Sequence, residues 1–384
     1  MQQYNFPTTI YFGDDALESL ARAIKGKGHQ KMLLVTDRTL TSLGLAKQVA
    51  DVLLTSGAEI VLFDHVHPNP LEEDVEKGSD AFTSTGCDSI VALGGGSPMD
   101  VAKVINVATT HAAPLSRYDD AIGGGDRIVN PMAPLYAIPT TSGTGSEVGR
   151  AGVIILRETK RKTIIFAPAL MPRIAVLVPR LTAGLPPHIT AATGIDAFTH
   201  SLEAYLAPGF HPLADGVALA GMRICIRHLE TCCKDGQNLD ARGRMQLASS
   251  MGATAFQKGL GMIHSLAHPL SAHHDTHHGL ANALLLPDSI EFIENSDLDQ
   301  DQKERIADVL DLFEKSGLAR QTLAETCRHW FAQLGITFGL SHHGIPEDNL
   351  VFLSAEAFED PCHRSNIIPV TEPDLLSVYQ KAFQ

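Results

Sequence analysis

No run of about 18 uninterrupted apolar residues occurs anywhere in this 384-residue chain, so no membrane-spanning helix is expected. Basic charge is scarce: 30 Lys and Arg stand against 44 Asp and Glu, a formal net charge of −14. Nucleic acid and anionic membrane surfaces both attract basic patches, so neither is an expected partner. The opening "MQQYNFPTTIYFG" lacks a basic n-region and an apolar h-region. It does not read as a secretory signal, and the expected location is the cytoplasm. No C-x-x-C pair exists among the six cysteines, Cys87, Cys225, Cys232, Cys233, Cys327 and Cys362. In a chain of this size without a signal they are expected to be free thiols. The remaining composition, 44% hydrophobic and 19% charged, is that of an ordinary globular protein.

The length suggests two domains. In the first half, "KMLLVTD" (31–37), "EIVLFD" (59–64), "SIVALGGG" (89–96) and "PLYAIPTT" (134–141) read as buried parallel strands. Between them, 43–57 and 70–86 carry apolar positions at helical spacing. That rhythm predicts βαβ units and a Rossmann-like, doubly wound parallel sheet. After 173–187 the pattern becomes helical: around 190–206, 213–233, 241–268, 279–293, 300–317, 319–334 and 373–383. Gly and Pro cluster between Gly184 and Pro187, which places the boundary there. The expected organisation is an α/β domain over 1–184 and an all-α domain over 185–384.

"VALGGGSPMDVAK" (91–103) is a strand, three glycines and a helix. Gly94, Gly95 and Gly96 let the backbone turn sharply and approach a phosphate without a Cβ in the way. Ser97 reads as the N-cap and Pro98 as the first helical residue, leaving free N–H groups for an anion. A bare βα turn is the simpler alternative. The spacing is not G-x-G-x-x-G, and the glycines follow the third strand rather than the first, so a variant dinucleotide fold is implied. Asp37 ends the first strong strand. An acid there can accept from an adenosine ribose and repel a 2′-phosphate, favouring NAD over NADP, or it can simply cap a turn. "IPTTSGTGSEV" (138–148) offers Thr140, Thr141, Ser142 and Thr144 as donors to phosphate or ribose.

In the second half, "GIDAFTHSLEAY" (194–205) places Asp196 and His200 four apart, on one face of a helix. "GMIHSLAHPLSAHHDTHHG" (261–279) holds six histidines: His264, His268, His273, His274, His277 and His278. His264 and His268 also lie four apart, and Pro269 is expected to end their helix. His278 starts the next one. Asp196, His200, His264 and His278 would offer one carboxylate and three imidazoles, a set suited to Fe(II), Zn(II) or a similar first-row ion.

The motifs "GGGSPMDVAK", "PTTSGTGSEV", "LPPHITAATGIDAFTHSLEAY" and "GMIHSLAHPLSAHHDTHHGLANALLLP", in this order, resemble the signatures of the iron-containing (group III) alcohol dehydrogenases. The resemblance runs essentially end to end, from "FPTTIYFG" to "DPCHRSN". It implies a dehydroquinate-synthase-like architecture, with a metal in the cleft between an N-terminal dinucleotide domain and a C-terminal helical domain. It assigns the metal to Asp196, His200, His264 and His278. It makes His268 the histidine beside the reacting carbon, and Asp37, Gly95, Gly96, Ser97, Thr140, Thr141 and Lys162 cofactor contacts. Asn69 in "HPNP" matches a residue near the nicotinamide, and Asp100, in the glycine-loop helix and expected to face the cleft, is counted with it among the cofactor-binding residues. Departures are Val178 in "VPRLT" where Asp is frequent, Gly149 where Thr is frequent, and His277 where the family has Pro. The last leaves His277 a competitor of His278. His273 and His274 read as cleft wall or solvated loop, and Cys362 as a buried inert thiol.

The resemblance implies hydride transfer between a small alcohol or aldehyde and NAD(H), with one divalent metal, Fe(II) or else Zn(II), polarising the oxygen. His268 is the candidate proton relay. A homodimer or higher homo-oligomer is expected, because the family commonly dimerises. The competing readings are a glycerol-dehydrogenase-like polyol oxidoreductase, a dehydroquinate-synthase-like lyase, and a non-catalytic metal- or nucleotide-binding module.

Overall fold

The structure, a computed structural model, describes residues 8–384; Phe6 and Pro7 of the "FPTTIYFG" match lie outside the described residues. The described chain forms two compact units. One comprises 8–141 with Gly145–Gly184, the other Ser142–Thr144 with Leu185–Gln384.

The first unit is built on a six-stranded parallel sheet. In chain order its elements are β1 (Thr9–Phe12), α1 (Ala16–Lys27), β2 (Lys31–Val35), α2 (Arg38–Ser42), α3 (Leu45–Leu54), β3 (Glu59–Phe63), α4 (Glu72–Thr85), β4 (Ser89–Gly94), α5 (Gly96–Ala108) and β5 (Leu135–Pro139). The antiparallel pair β6 (Ala151–Ile155) and β7 (Lys162–Phe166) follows, and β8 (Ile174–Leu177) completes the sheet. The sheet order is β1-β8-β5-β4-β2-β3. β4 and β5 are buried along their whole length, as expected of central parallel strands with helices on both faces. The chain winds outward from β2 to β3 and then crosses back to β4, so the strand order reverses between β2 and β4. In open α/β sheets ligands bind beyond the carboxyl ends of the strands at such a reversal. Asp37 follows β2 and Gly94–Ser97 follows β4, one on each side of it.

Two sequence expectations change here. The glycine turn follows the fourth strand, because Thr9–Phe12 is itself a strand paired with β8. At four residues it is too short to show a period. The helix after the turn starts at Gly96 with Gly95 as its N-cap, so Ser97 lies inside the first turn and is not the cap. The backbone reaches φ +146° only at Gly94, where a Cβ would stand 2.6 Å from the Pro98 ring. That strain fixes the turn one step earlier than the Ser-Pro pair suggests.

The second unit is helical: α6 (Pro187–Leu206), α7 (Pro212–Lys234), α8 (Leu239–Ala255), α9 (Met262–His274), α10 (His278–Glu294), α11 (Gln300–Glu314), α12 (Leu323–Gln333), α13 (Leu350–Glu359) and α14 (Glu372–Ala382). α6 is buried on nearly every face, with only its first turn partly exposed. Phe198 on α6 packs edge-on against Phe313, Trp330 and Phe331, so it belongs to the core. The expected single helix over 241–268 is two helices, broken at Phe256–Gly261, where Gly259 takes φ +142°. α9 does not stop before Pro269 but continues to His274. The proline lacks the N–H that would donate to the Ser265 carbonyl, yet its flanking turns are held by burial of Leu266, Ala267 and Leu270. Among the described residues no helix is long and apolar enough to cross a membrane.

Candidate functional site

α6, α9 and α10 bring Asp196, His200, His264 and His278 together, with one candidate ligand atom of each lying within 4.8 Å of the others. The Asp196–His200 pair is the i, i+4 pair of α6, and His278 is the first residue of α10. α10 can approach α6 this closely because residue 279 is glycine: a Cβ there would stand 2.3 Å from the Ala192 carbonyl oxygen. Nε2 of His200, His264 and His278 lie 3.9, 3.9 and 3.6 Å from Asp196 Oδ1. Ligands about 2.1 Å from one tetrahedral ion are about 3.4 Å apart, so slight closure completes a shell. Asp196, His200 and His264 are buried at 2%, 5% and 1% exposure. Burial drives the His200 imidazole down to about 4, which keeps its lone pair free. Burial acts the same way on His264, but the charges of Glu203 and Asp196 outweigh it and raise the imidazole.

The donor set fits a cation on a direct observation. The Asn282 amide nitrogen donates to Asp196 Oδ1 at 2.8 Å and lies 3.4 Å from Nε2 of both His264 and His278. Three acceptors thus converge on one nitrogen that has only two hydrogens. The Asn282 oxygen is buried without a hydrogen bond. One ion satisfies such a set better than one amide does.

His268, one turn after His264, stacks on His278 with ring centroids 5.3 Å apart. Its Nδ1 lies 2.7 Å from Asp360 Oδ2, and the same carboxylate accepts from Ser265 Oγ at 3.0 Å and the Cys362 amide at 2.9 Å. Burial would raise the Asp360 carboxyl, but His268 and the hydrogen bonds from Cys362 hold it well below the ordinary range. Burial, with Asp360 beside it, pushes the Cys362 thiol well above the ordinary value. The surplus histidines stand outside the cluster. His277 is the exposed N-cap residue of α10. His273 faces Glu356 at 3.6 Å and Phe352, and His274 bonds Asn349 at 2.7 Å.

In the sheet unit, Asp37 caps α2: its Oδ1 accepts from the Leu40 N–H at 2.9 Å. Gly95 and Gly96 begin α5, whose first N–H groups are open to an anion. The Ser97 hydroxyl donates to the Pro68 carbonyl at 2.5 Å, which ties α5 to the segment holding Asn69. The Thr140 N–H donates to the Gly94 carbonyl at 2.9 Å, and the Thr141 side chain faces Gly95. Asp100 accepts from Ser146 Oγ at 2.7 Å, and burial raises its carboxyl. Lys162 opens β7, close enough for its charge to act on Asp100. Lys103, fully buried, donates to the Ser146 carbonyl and hydroxyl at 2.7 Å and to the Ala151 carbonyl at 2.8 Å. Asp100 and Lys103 therefore pin the start of the Gly145–Val148 turn.

Sequence reasoning missed Glu203, Asp360, Asn282 and Lys103. Two of them carried a periodic signal: Glu203 follows Asp196 by seven residues on the same helical face, and Asn282 follows His278 by four. Asp360 had none, because its partner is 92 residues away.

Comparison with known proteins identifies the family. Residues 7–179 match the family described as "Iron-containing alcohol dehydrogenase". Residues 190–383 match "Fe-containing alcohol dehydrogenase family, C-terminal". The chain is 40% identical over 368 residues to a 4-hydroxybutyrate dehydrogenase of Cupriavidus necator, covering 94% of each chain. It is 31% identical to an NAD-dependent methanol dehydrogenase of Bacillus methanolicus, covering 100% of each. A solved 1,3-propanediol oxidoreductase superposes with a TM-score of 0.91 at 34% identity, covering all of both chains. Matched in both halves and along nearly its whole length, the chain belongs to the iron-containing alcohol dehydrogenase family and is an oxidoreductase that acts on alcohols.

Proposed function

We propose that the chain interconverts a small alcohol and its aldehyde with NAD(H), using one divalent ion, Fe(II) in preference to Zn(II), held by Asp196, His200, His264 and His278. The convergence of three imidazole Nε2 atoms and Asp196 Oδ1 in a buried site carries this reading. Bound there, the ion supplies Lewis acidity to the alcohol or aldehyde oxygen, and the nicotinamide supplies or accepts the hydride. His268 holds or moves the hydroxyl proton at Nε2, because Asp360 occupies its Nδ1. The first N–H groups of α5, from Gly95 to Ser97, receive the dinucleotide phosphates, with Thr140 and Thr141 as neighbouring donors. Asp100 and Lys103 hold the Gly145–Val148 turn, Asp100, Asn69 and Lys162 count among the cofactor contacts, and Asp37 accepts from the adenosine ribose. NAD is supported by the NAD dependence of the methanol dehydrogenase relative.

Elemental analysis of the purified protein, with NADH-dependent aldehyde reduction before and after chelation, tests the reading. Metal content near one per chain and chelator-sensitive turnover are expected, and His264→Ala should lose both. Full turnover by a metal-free His264→Ala protein overturns it. The same reading includes a cytoplasmic homodimer or higher homo-oligomer. β1, which among the described residues is an edge strand paired only with β8 and which carries Phe12 at 49% exposure, supports association through that edge. Light scattering tests this, and a monomer at micromolar concentration refutes it.

A further inference from the structure

Glu203 touches neither the surface nor the convergence point of the four predicted ligands. It is 4% exposed, and it follows Asp196 and His200 along one face of α6. Its Oε1 accepts from the Ile263 N–H at 2.7 Å. Its Oε2 is hydrogen bonded to Nδ1 of His264. One carboxylate therefore caps the N-terminus of α9 and grips the side chain of that helix's third residue. Asn366 takes the adjoining donor, accepting from Met262 N–H at 3.1 Å. Gly261, the N-cap residue, makes room for both: a Cβ there would lie 2.7 Å from Glu203 Oε1 and from Asn366 Oδ1.

A carboxylate can only accept, so the hydrogen between the two groups sits on Nδ1. The lone pair of the imidazole is then at Nε2, the atom facing Asp196 and Asn282. The ring cannot rotate away without breaking the bond, and Oε2 cannot leave without straining the cap made by Oε1. Backbone capping and imidazole orientation are thus fixed by the same group.

We infer that Glu203 is a positioning residue for the metal: it sets the tautomer and ring orientation of His264 so that Nε2 is presented as a ligand. The inference rests on the reading of His264 as a ligand. Outer carboxylates of this kind typically change metal affinity by about 10- to 100-fold.

Glu203→Gln is the test, because its amide oxygen retains the cap on Ile263. Its NH2 then faces Nδ1, which must accept, and the ring proton moves to Nε2. Zinc affinity measured by competition with a chromophoric chelator should fall about 10- to 100-fold, with faster release. The urea midpoint of the metal-free protein should stay near that of wild type, which separates orientation from general structure. Affinity within twofold of wild type in Glu203→Gln, with zinc binding lost in His264→Ala, overturns the role of Glu203 alone. Wild-type affinity in His264→Ala overturns the ligand reading itself. A Glu203→Gln protein that does not fold leaves a second measurement. Nitrogen NMR of metal-free wild type, at a pH where the His264 ring is neutral and with its signals identified by their loss in His264→Ala, should show the proton on Nδ1. A neutral ring protonated on Nε2 refutes the inference.

Discussion

Gly279→Ala should loosen the metal site without removing any ligand. The added Cβ would stand 2.3 Å from the Ala192 carbonyl oxygen, 2.7 Å from its carbonyl carbon and 3.2 Å from Asp196 Cβ. The nearest atoms are backbone, which cannot swing aside, and the shortest approach is roughly 1 Å inside ordinary contact. α10 must retreat from α6. Overpacking of this kind costs about 1–3 kcal/mol. Alanine returns up to about 1 kcal/mol through helix propensity, so the net loss of stability is small to moderate and the protein still folds. Propensity does nothing for the metal. His278 is the adjoining residue, and its Nε2 is already 3.6 Å from Asp196 Oδ1, so retreat widens the shell on one side. If about 1.4 kcal/mol of the strain opposes closure, affinity falls tenfold. Zinc affinity by chelator competition and the urea midpoint of metal-free protein measure the two effects separately. An affinity unchanged within twofold would show that the α6–α10 approach does not set the ligand geometry, and would refute the reasoning.

Three further outcomes are expected. Asp37→Gly should raise NADPH use relative to NADH; glycine replaces the cap of α2 at a cost of only a few tenths of a kcal/mol, so a constant cofactor ratio would remove Asp37 from the ribose. Asp360→Asn should leave metal content unchanged while lowering turnover, by no more than the roughly 10²–10⁴-fold that a positioned acid–base group supplies. Unchanged turnover would detach Asp360 from the proton path. Burial holds Lys103 down to about 8 against an ordinary 10.5, so the unfolded chain binds the extra proton between these values and this contribution to stability rises with pH there. Buried thiols such as Cys225 and Cys232 act with the opposite sign, so the readout is the difference between the pH slopes of wild type and Lys103→Met. Equal slopes would count against it.

The legible parts of the sequence were those written in short periods. β2 to β5 announced themselves as apolar runs between glycines, and the Asp196–His200 pair as a one-turn spacing. β1 was illegible because four residues hold no period, and β6–β7 because a small antiparallel ribbon packs on α5 rather than extending the sheet. α9 was misplaced at both ends. Its start depends on caps from Glu203 and Asn366, far away in the chain, and its passage through Pro269 depends on burial. The same reason hid Asp360. Groups that orient a histidine are chosen by the fold's long-range contacts, whereas the histidines themselves are chosen by spacing.

The four predicted ligands sit on α6, α9 and α10, three separate helices. An ion held by them is a cross-link as well as a reagent. Like a disulfide, it closes long loops of chain, including the stretches from Asp196 to His264 and to His278. Unlike a disulfide, its strength follows supply: free ion at a hundredfold over its dissociation constant contributes about 2.7 kcal/mol, and none of this remains when the ion is gone. With the ion held as proposed, metal scarcity would remove this cross-link together with the activity, so one shortage would loosen the helical half and silence it at once.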